Sequence, residues 1–223
     1  MHRRKSKIIL VYFFLLIAVS SISNNSFKNY KLGQIQNINI SGLDQKNNEI
    51  LLGKLKNLKK ENIFFIDKNE IFKLINSNPL VEKYEVFKKY PYTINIKIEK
   101  TSYLAKINID DKTFLIGSNG KLTSIESEYS DLPHIFGKPS IKEFFKFKKK
   151  IDKSKFSYNQ IKKLYFFPSK RWDLKLSDDI LLKLPNNFTN KTLDSLYEFL
   201  ENYSGGSFNI VDARIQRQII LNE

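Results

Sequence analysis

At 223 residues the chain can hold a pair of small folded units beyond any targeting segment, and 41% hydrophobic with 13% aromatic residues excludes disorder throughout. The absence of cysteine removes disulfides, thiolate metal ligands and a cysteine nucleophile. A formal net charge of +15 raises nucleic acid as a partner, but lysine carries nearly all of it, and Arg3, Arg4, Arg171, Arg214 and Arg217 are too few to supply the bidentate grip of a nucleic-acid reader.

His2, Arg3, Arg4, Lys5 and Lys7 form a basic head ahead of an unbroken apolar run over residues 8–19, with Ile8, Leu10, Phe13, Leu16 and Val19 as anchor positions. Basic residues beside an apolar span stay in the cytoplasm, so everything beyond about residue 24 is expected on the other side. Even extended through Ser20, Ser21 and Ile22 the run is short of the ~20 residues a bilayer helix needs. Ala18-Val19-Ser20 also has the small-x-small pattern that a signal peptidase reads. These residues leave a retained transmembrane anchor and a cleaved export signal both open.

After a polar linker, residues 34–41 alternate with Ile38 and Ile40 inward and predict a strand ending at Gly42. Leu51, Leu55 and Leu58 give the apolar face of a short helix. Asp67 and Glu70 have capping-box spacing, Ile66 and Ile71 stand where a hydrophobic staple would close, and Ile71, Leu74 and Ile75 make a buried stripe on a second helix that stops before Pro79. Residues 84–88, a turn at Lys89-Tyr90-Pro91, and the strict alternation of Tyr92, Ile94, Ile96 and Ile98 predict a hairpin with one wet face. The sum is two helices on a three-stranded sheet. Asn62-Ile63-Phe64-Phe65-Ile66-Asp67, Asn78-Pro79-Leu80-Val81 and the hairpin 86–94 resemble the POTRA domain of the FtsQ/DivIB cell-division family.

Short strands dominate from Tyr103 onward: residues 104–109, a turn at Asp110-Asp111, residues 113–116, then the turn signal Asn119-Gly120. Leu132-Pro133-His134-Ile135-Phe136-Gly137 resembles a step that FtsQ-like proteins place before a helix, predicted here near residues 140–149. Arg171-Trp172-Asp173-Leu174-Lys175-Leu176, a turn at Ser177-Asp178-Asp179, and Ile180-Leu181-Leu182-Lys183-Leu184-Pro185 carry the strongest resemblance. Leu193, Leu196, Tyr197 and Leu200 make another helix, broken by Gly205-Gly206, and Val211-Asp212-Ala213-Arg214 resembles the family's final Val-Asp-x-Arg step.

The resemblance therefore implies an α+β chain: a cytoplasmic basic stub (1–7), a transmembrane anchor (8–23), a linker (24–33), a small POTRA domain (34–101) and a mainly antiparallel β domain with helices (102–223). It implies a retained anchor, a single-pass inner-membrane location with the C-terminal domains periplasmic, and enrichment at the division site. It implies that the terminal edge receives an FtsB-like protein paired with an FtsL-like one, while the POTRA domain meets other division proteins.

Segment 213–221 is expected to be one closing strand whose unpaired backbone can accept an extended partner strand, with Arg214, Ile215, Arg217, Ile219 and Ile220 contributing. Trp172 is expected to be structural, in a half-wet strand beside Arg171 and Asp173, with a partner hot spot as its alternative. His2 and His134 are the only histidines, so no zinc site or triad assembles, and His134 reads as a loop residue. Glu126 with Glu128, and Asp178 with Asp179, are better explained by turn chemistry than by glycan hydrolysis. No enzyme, no cofactor, no small-molecule substrate and no nucleic acid is expected. A soluble exported POTRA-bearing assembly factor is the alternative function, and a wall hydrolase a third.

Overall fold

The computed structural model describes residues 2–23, 33–124, 131–203, 208–215 and 218–222. The expected linker therefore lies almost wholly outside the described residues, as do Glu126, Glu128, Gly205, Gly206 and Arg217. Helix α1 spans His2–Ser23. The remaining elements divide between two compact units, the first formed by residues 1–78 and 84–99, the second by residues 79–83 and 100–223.

Over residues 7–20 of α1 every side chain is exposed, and its apolar residues lie on all sides of the helix. Yet among the described residues no helix is long and apolar enough to cross a membrane. The unbroken apolar run is shorter than the helix that carries it. The run carrying Ile8, Leu10, Phe13, Leu16 and Val19 rises only about 18 Å, against the roughly 30 Å of a hydrocarbon core. The anchor expected over 8–23 falls within α1, and its apolar run is short by that measure.

The first unit also holds β1 (Asn37–Ser41), α2 (Gln45–Lys54), α3 (Lys68–Asn76), β2 (Val81–Lys89) and β3 (Thr93–Lys100), with sheet order β1-β3-β2. The first three residues of β2 and the last of β3 belong by contacts to the second unit. β1 lies parallel to β3, setting Ile38 beside Ile94 and Ile40 beside Ile96. Ile94, Ile96 and Ile98 are all buried, as their alternation requires. Leu51, Leu55 and Leu58 are buried too, but the helix tightens into a 3₁₀ turn over Lys56–Lys60 to bring Leu58 inward. The cap of α3 is one-sided: the Asp67 carboxylate accepts the Asn69 amide at 2.8 Å, in place of the expected reciprocal box with Glu70. Gly42 has φ +112, and a Cβ there would fall 1.8 Å from the Ile98 carbonyl oxygen, so only glycine fits the end of β1.

The second unit is built on a nine-stranded sheet. Its strands are β4 (Tyr103–Ile109), β5 (Lys112–Gly117), β6 (Leu122–Ser124), β7 (His134–Phe136), β8 (Ile161–Phe166), β9 (Trp172–Leu176), β10 (Leu181–Lys183), β11 (Ile210–Asp212) and β12 (Ile220–Asn222). The order is β12-β11-β10-β9-β8-β7-β4-β5-β6. Most neighbours are antiparallel, but β4 with β7, β7 with β8, and β10 with β11 are parallel. Parallel neighbours need crossovers. Helix α4 (Ile141–Ile151) supplies the one between β7 and β8, and α5 (Asn190–Asn202) the one between β10 and β11.

Ser140 and Glu143 close a reciprocal capping box at the start of α4, which then buries Phe144, Phe147 and Ile151. Thr189 caps α5 by accepting from the Thr192 amide, and α5 buries Leu193 and Leu196. These side chains pack on a row running across the sheet: Ile107, Ile135, Leu164, Leu174, Leu182 and Val211. Both helices thus cover one face.

The strand expected to be half wet, β9, lies deep in the sheet and has Trp172, Leu174 and Leu176 buried in the helix-covered core, with Asp173, on the opposite face, buried as well. His134 opens β7, where its ring stacks on Phe136 at 4.7 Å, so it is a strand residue and not a loop residue.

Candidate partner-binding site

β12 is the last strand of the nine-stranded sheet, and no described strand lies beyond it. It pairs antiparallel with β11, setting Ile220 opposite Asp212, Leu221 opposite Val211 and Asn222 opposite Ile210. Of the single strand expected over 213–221, only Ile220 and Leu221 lie in a strand, β12, because β11 ends before the segment at Asp212; the Gln218 amide donates to the Ile215 carbonyl at 3.3 Å. The cause is a local ion pair. Arg214 donates from Nε to both Asp212 oxygens, at 2.8 and 2.9 Å, and its backbone N–H donates to the same carboxylate at 3.1 Å. Those bonds turn the chain immediately after β11.

A row of alternating charge stands behind this turn. Lys183 on β10 lies opposite Asp173 on β9 and opposite Asp212 on β11, so each carboxylate has a cationic neighbour across the sheet. Arg171 closes the far end, donating to Asp173 at 3.1 Å. Burial pushes the Asp173 carboxyl up despite Arg171. Asp212 is held below the ordinary carboxylate range, chiefly by its side-chain hydrogen bond from Arg214, with burial opposing.

The signs follow from linkage. A depressed pKa adds stability that is present above the unfolded value and lost as pH falls through the folded one, whereas raised Asp173 loses stability as pH rises through its window. Arg214→Gln should therefore be less stable than the parent at neutral pH by urea denaturation, and the deficit should shrink as pH falls below the ordinary carboxylate range and through the depressed pKa of Asp212. An undiminished deficit in acid would mean that Arg214 acts through packing.

Of the residues singled out in the sequence, Arg214 and Ile215 lie in the turn, Ile219 directly precedes β12, Ile220 begins it, and Arg217 lies outside the described residues. Ile215, Ile219 and Ile220 are 53, 38 and 42% exposed, an unusual concentration of uncovered branched apolar side chains at one sheet edge. Leu221, 41% exposed, belongs with them and was missed. Beside the edge is a cleft of about 710 Å³ with Arg214, Ile215, Gln218 and Ile219 on one wall and Pro185, Thr192, Ser195 and Leu196 on the other. No sequence signal links the α5 residues to this edge, because the crossover brings them there. Asp178 and Asp179 sit exposed in the turn between β9 and β10, where Asp179 adopts φ 67, as turn chemistry requires. Among the described residues no group of His, Asp and Glu side chains converges as a metal site would need.

Residues 34–100 match the family model for the POTRA domain, FtsQ-type, and residues 105–214 match that for cell division protein FtsQ/DivIB, C-terminal. Cell division protein FtsQ of Rickettsia bellii (strain RML369-C) is 27% identical over 178 residues, covering 76% of this chain and 67% of the relative. Cell division protein FtsQ of Rickettsia prowazekii (strain Madrid E) is 26% identical over 187 residues, covering 77% and 70%. Among solved structures, the major extracytoplasmic domain of the trans isomer of DivIB from Geobacillus stearothermophilus matches with a TM-score of 0.33 and 13% identity, over 45% of this chain and 89% of that one.

Proposed function

The chain belongs to the FtsQ/DivIB family of cell division proteins, and from that premise we propose that it is a membrane-held scaffold whose β12 edge captures an FtsB-like protein together with its FtsL-like companion. The observation that carries this reading is the position of β12 at the sheet margin with Ile219, Ile220 and Leu221 uncovered. An extended partner strand would pair its backbone with β12, and the neighbouring cleft would take its apolar side chains. The first unit would meet other division proteins, and the protein would collect at the division site.

Attachment would come from α1. A helix apolar on all sides has no polar face to turn to water, so lipid is its natural solvent. A run this short is accommodated by bilayer thinning and by snorkelling of the basic residues before it, leaving the N-terminus cytoplasmic and both units periplasmic.

Recovery of an FtsB-like and FtsL-like pair with the full chain, and loss of both on removing residues 213–223, is the expected result of affinity capture. Retention of the pair by the truncated chain would refute the edge as the site. The shortness of the apolar run favours one rival, a soluble exported assembly factor with a cleaved signal. Fractionation separates the two: a membrane-bound product keeping Met1 supports the scaffold, and a soluble product beginning near Ser21 supports the rival.

A further inference from the structure

Helix α4 buries Phe144, Phe147 and Ile151, and that register sets Lys146, Lys149, Lys150 and, just past its end, Lys153 along one flank. Lys170, in the turn between β8 and β9, faces them across a cleft of about 460 Å³. The floor is aromatic: Phe147 stacks on Trp172 at 4.6 Å, Phe166 lies 4.8 Å from Trp172, and Phe188 meets Phe147 edge-on at 6.1 Å. Five ammonium groups thus line a concave site with a single carboxylate, Glu143. That carboxylate is already engaged by the Ser140 amide at 2.9 Å and the Ser140 hydroxyl at 2.8 Å, and Lys170 comes no nearer to it than 3.9 Å.

Lys146, Lys149 and Lys153 make no ion pair among the described residues. Lys150 is fixed in place, donating to the Phe188 carbonyl at 2.7 Å with its ammonium 4.2 Å above the Phe188 ring. Its pKa is lowered by burial and then by Lys146, the sign of positive charge left without an anion. A run of lysines is most often a solvated helix face. What separates this one is its convergence with Lys170 from another element over a ring-lined floor.

We propose that this cleft binds an acidic segment of a partner protein, its carboxylates meeting Lys146, Lys149, Lys150 and Lys153 while an apolar residue packs on Phe166. Concavity disfavours a flat lipid surface, which cannot reach ammonium groups on both walls of a cleft at once. Single-stranded nucleic acid is disfavoured because Phe147, Trp172 and Phe188 are buried against one another and offer no open ring for a base to stack on.

The test is calorimetric titration of the full chain in a nonionic detergent with a synthetic peptide of glutamates flanking one phenylalanine. Binding is expected to weaken about tenfold or more in Lys146→Glu/Lys149→Glu, and in the parent at ~1 M salt, where screening shortens the Debye length to ~3 Å. Lys142→Glu, on the same helix outside the cleft, is expected to leave binding within about twofold. Should the double glutamate variant lose its fold, Lys146→Gln/Lys149→Gln carries the same comparison. The proposal is overturned if either folded double variant binds as the parent does, if Lys142→Glu weakens binding equally, or if a glutamine version of the peptide binds as well. It is also overturned if phosphatidylglycerol vesicles, and not the peptide, lose binding in the double variant.

Discussion

Proline in place of Ile220 is expected to weaken capture of an FtsB-like partner about 100-fold or more while the second unit stays folded. Strand addition draws its affinity from backbone donors and acceptors, and proline both removes an N–H and cannot sit within a ladder paired on both sides. A 100-fold loss corresponds to about 2.7 kcal/mol, the size expected when a few main-chain hydrogen bonds are forfeited together. The fold should tolerate the change, because Ile220 is 42% exposed and none of β12 belongs to the buried cluster beneath α4 and α5. Ile219→Lys, just before the strand, tests the side-chain contribution alone and should cost about tenfold. Surface plasmon resonance with the purified partner measures both, and a far-UV melt checks the fold. Parent-like capture by a folded proline variant would remove the edge from consideration.

What the sequence discloses about this fold is what depends on neighbours in the chain. The alternation of Ile94, Ile96 and Ile98 announces β3, and the spacing of Phe144, Phe147 and Ile151 suits α4, since each period reflects one element meeting one core. Strand β8 escaped notice because a register shift between Ile161 and Lys163 breaks its alternation, leaving Lys162 and Lys163 exposed side by side. The parallel order of β4, β7 and β8 has no local signature at all. At the candidate edge, Ile219 and Ile220 were legible as apolar residues near a terminal strand. Ending β11 ahead of that segment required knowing that Arg214 folds back on Asp212, and the cleft required α5 to cross over the sheet. The apolar N-terminal run shows the reverse case, where composition is plain but length decides what the helix can do.

Trp172 poses the same question at one residue, and Trp172→Ala answers it. Its ring is 4% exposed, stacked on Phe147 at 4.6 Å and 26° and tilted against Phe166 at 4.8 Å, in the face of β9 that α4 covers. Truncation leaves a cavity too well walled to collapse, so the expected cost is about 3–5 kcal/mol, which lowers the melting midpoint of a domain this size by roughly 10 °C or more. Trp172→Phe retains most of the ring contact with Phe147 and should cost less than half as much. Since the only tryptophan is the one removed, far-UV circular dichroism in urea is the appropriate probe. A binding hot spot would behave oppositely, losing partner affinity at nearly unchanged stability. Because the indole is enclosed by its own chain on the helix-covered face, loss of partner capture in Trp172→Ala should follow the unfolded fraction, and capture should return under conditions that refold the variant.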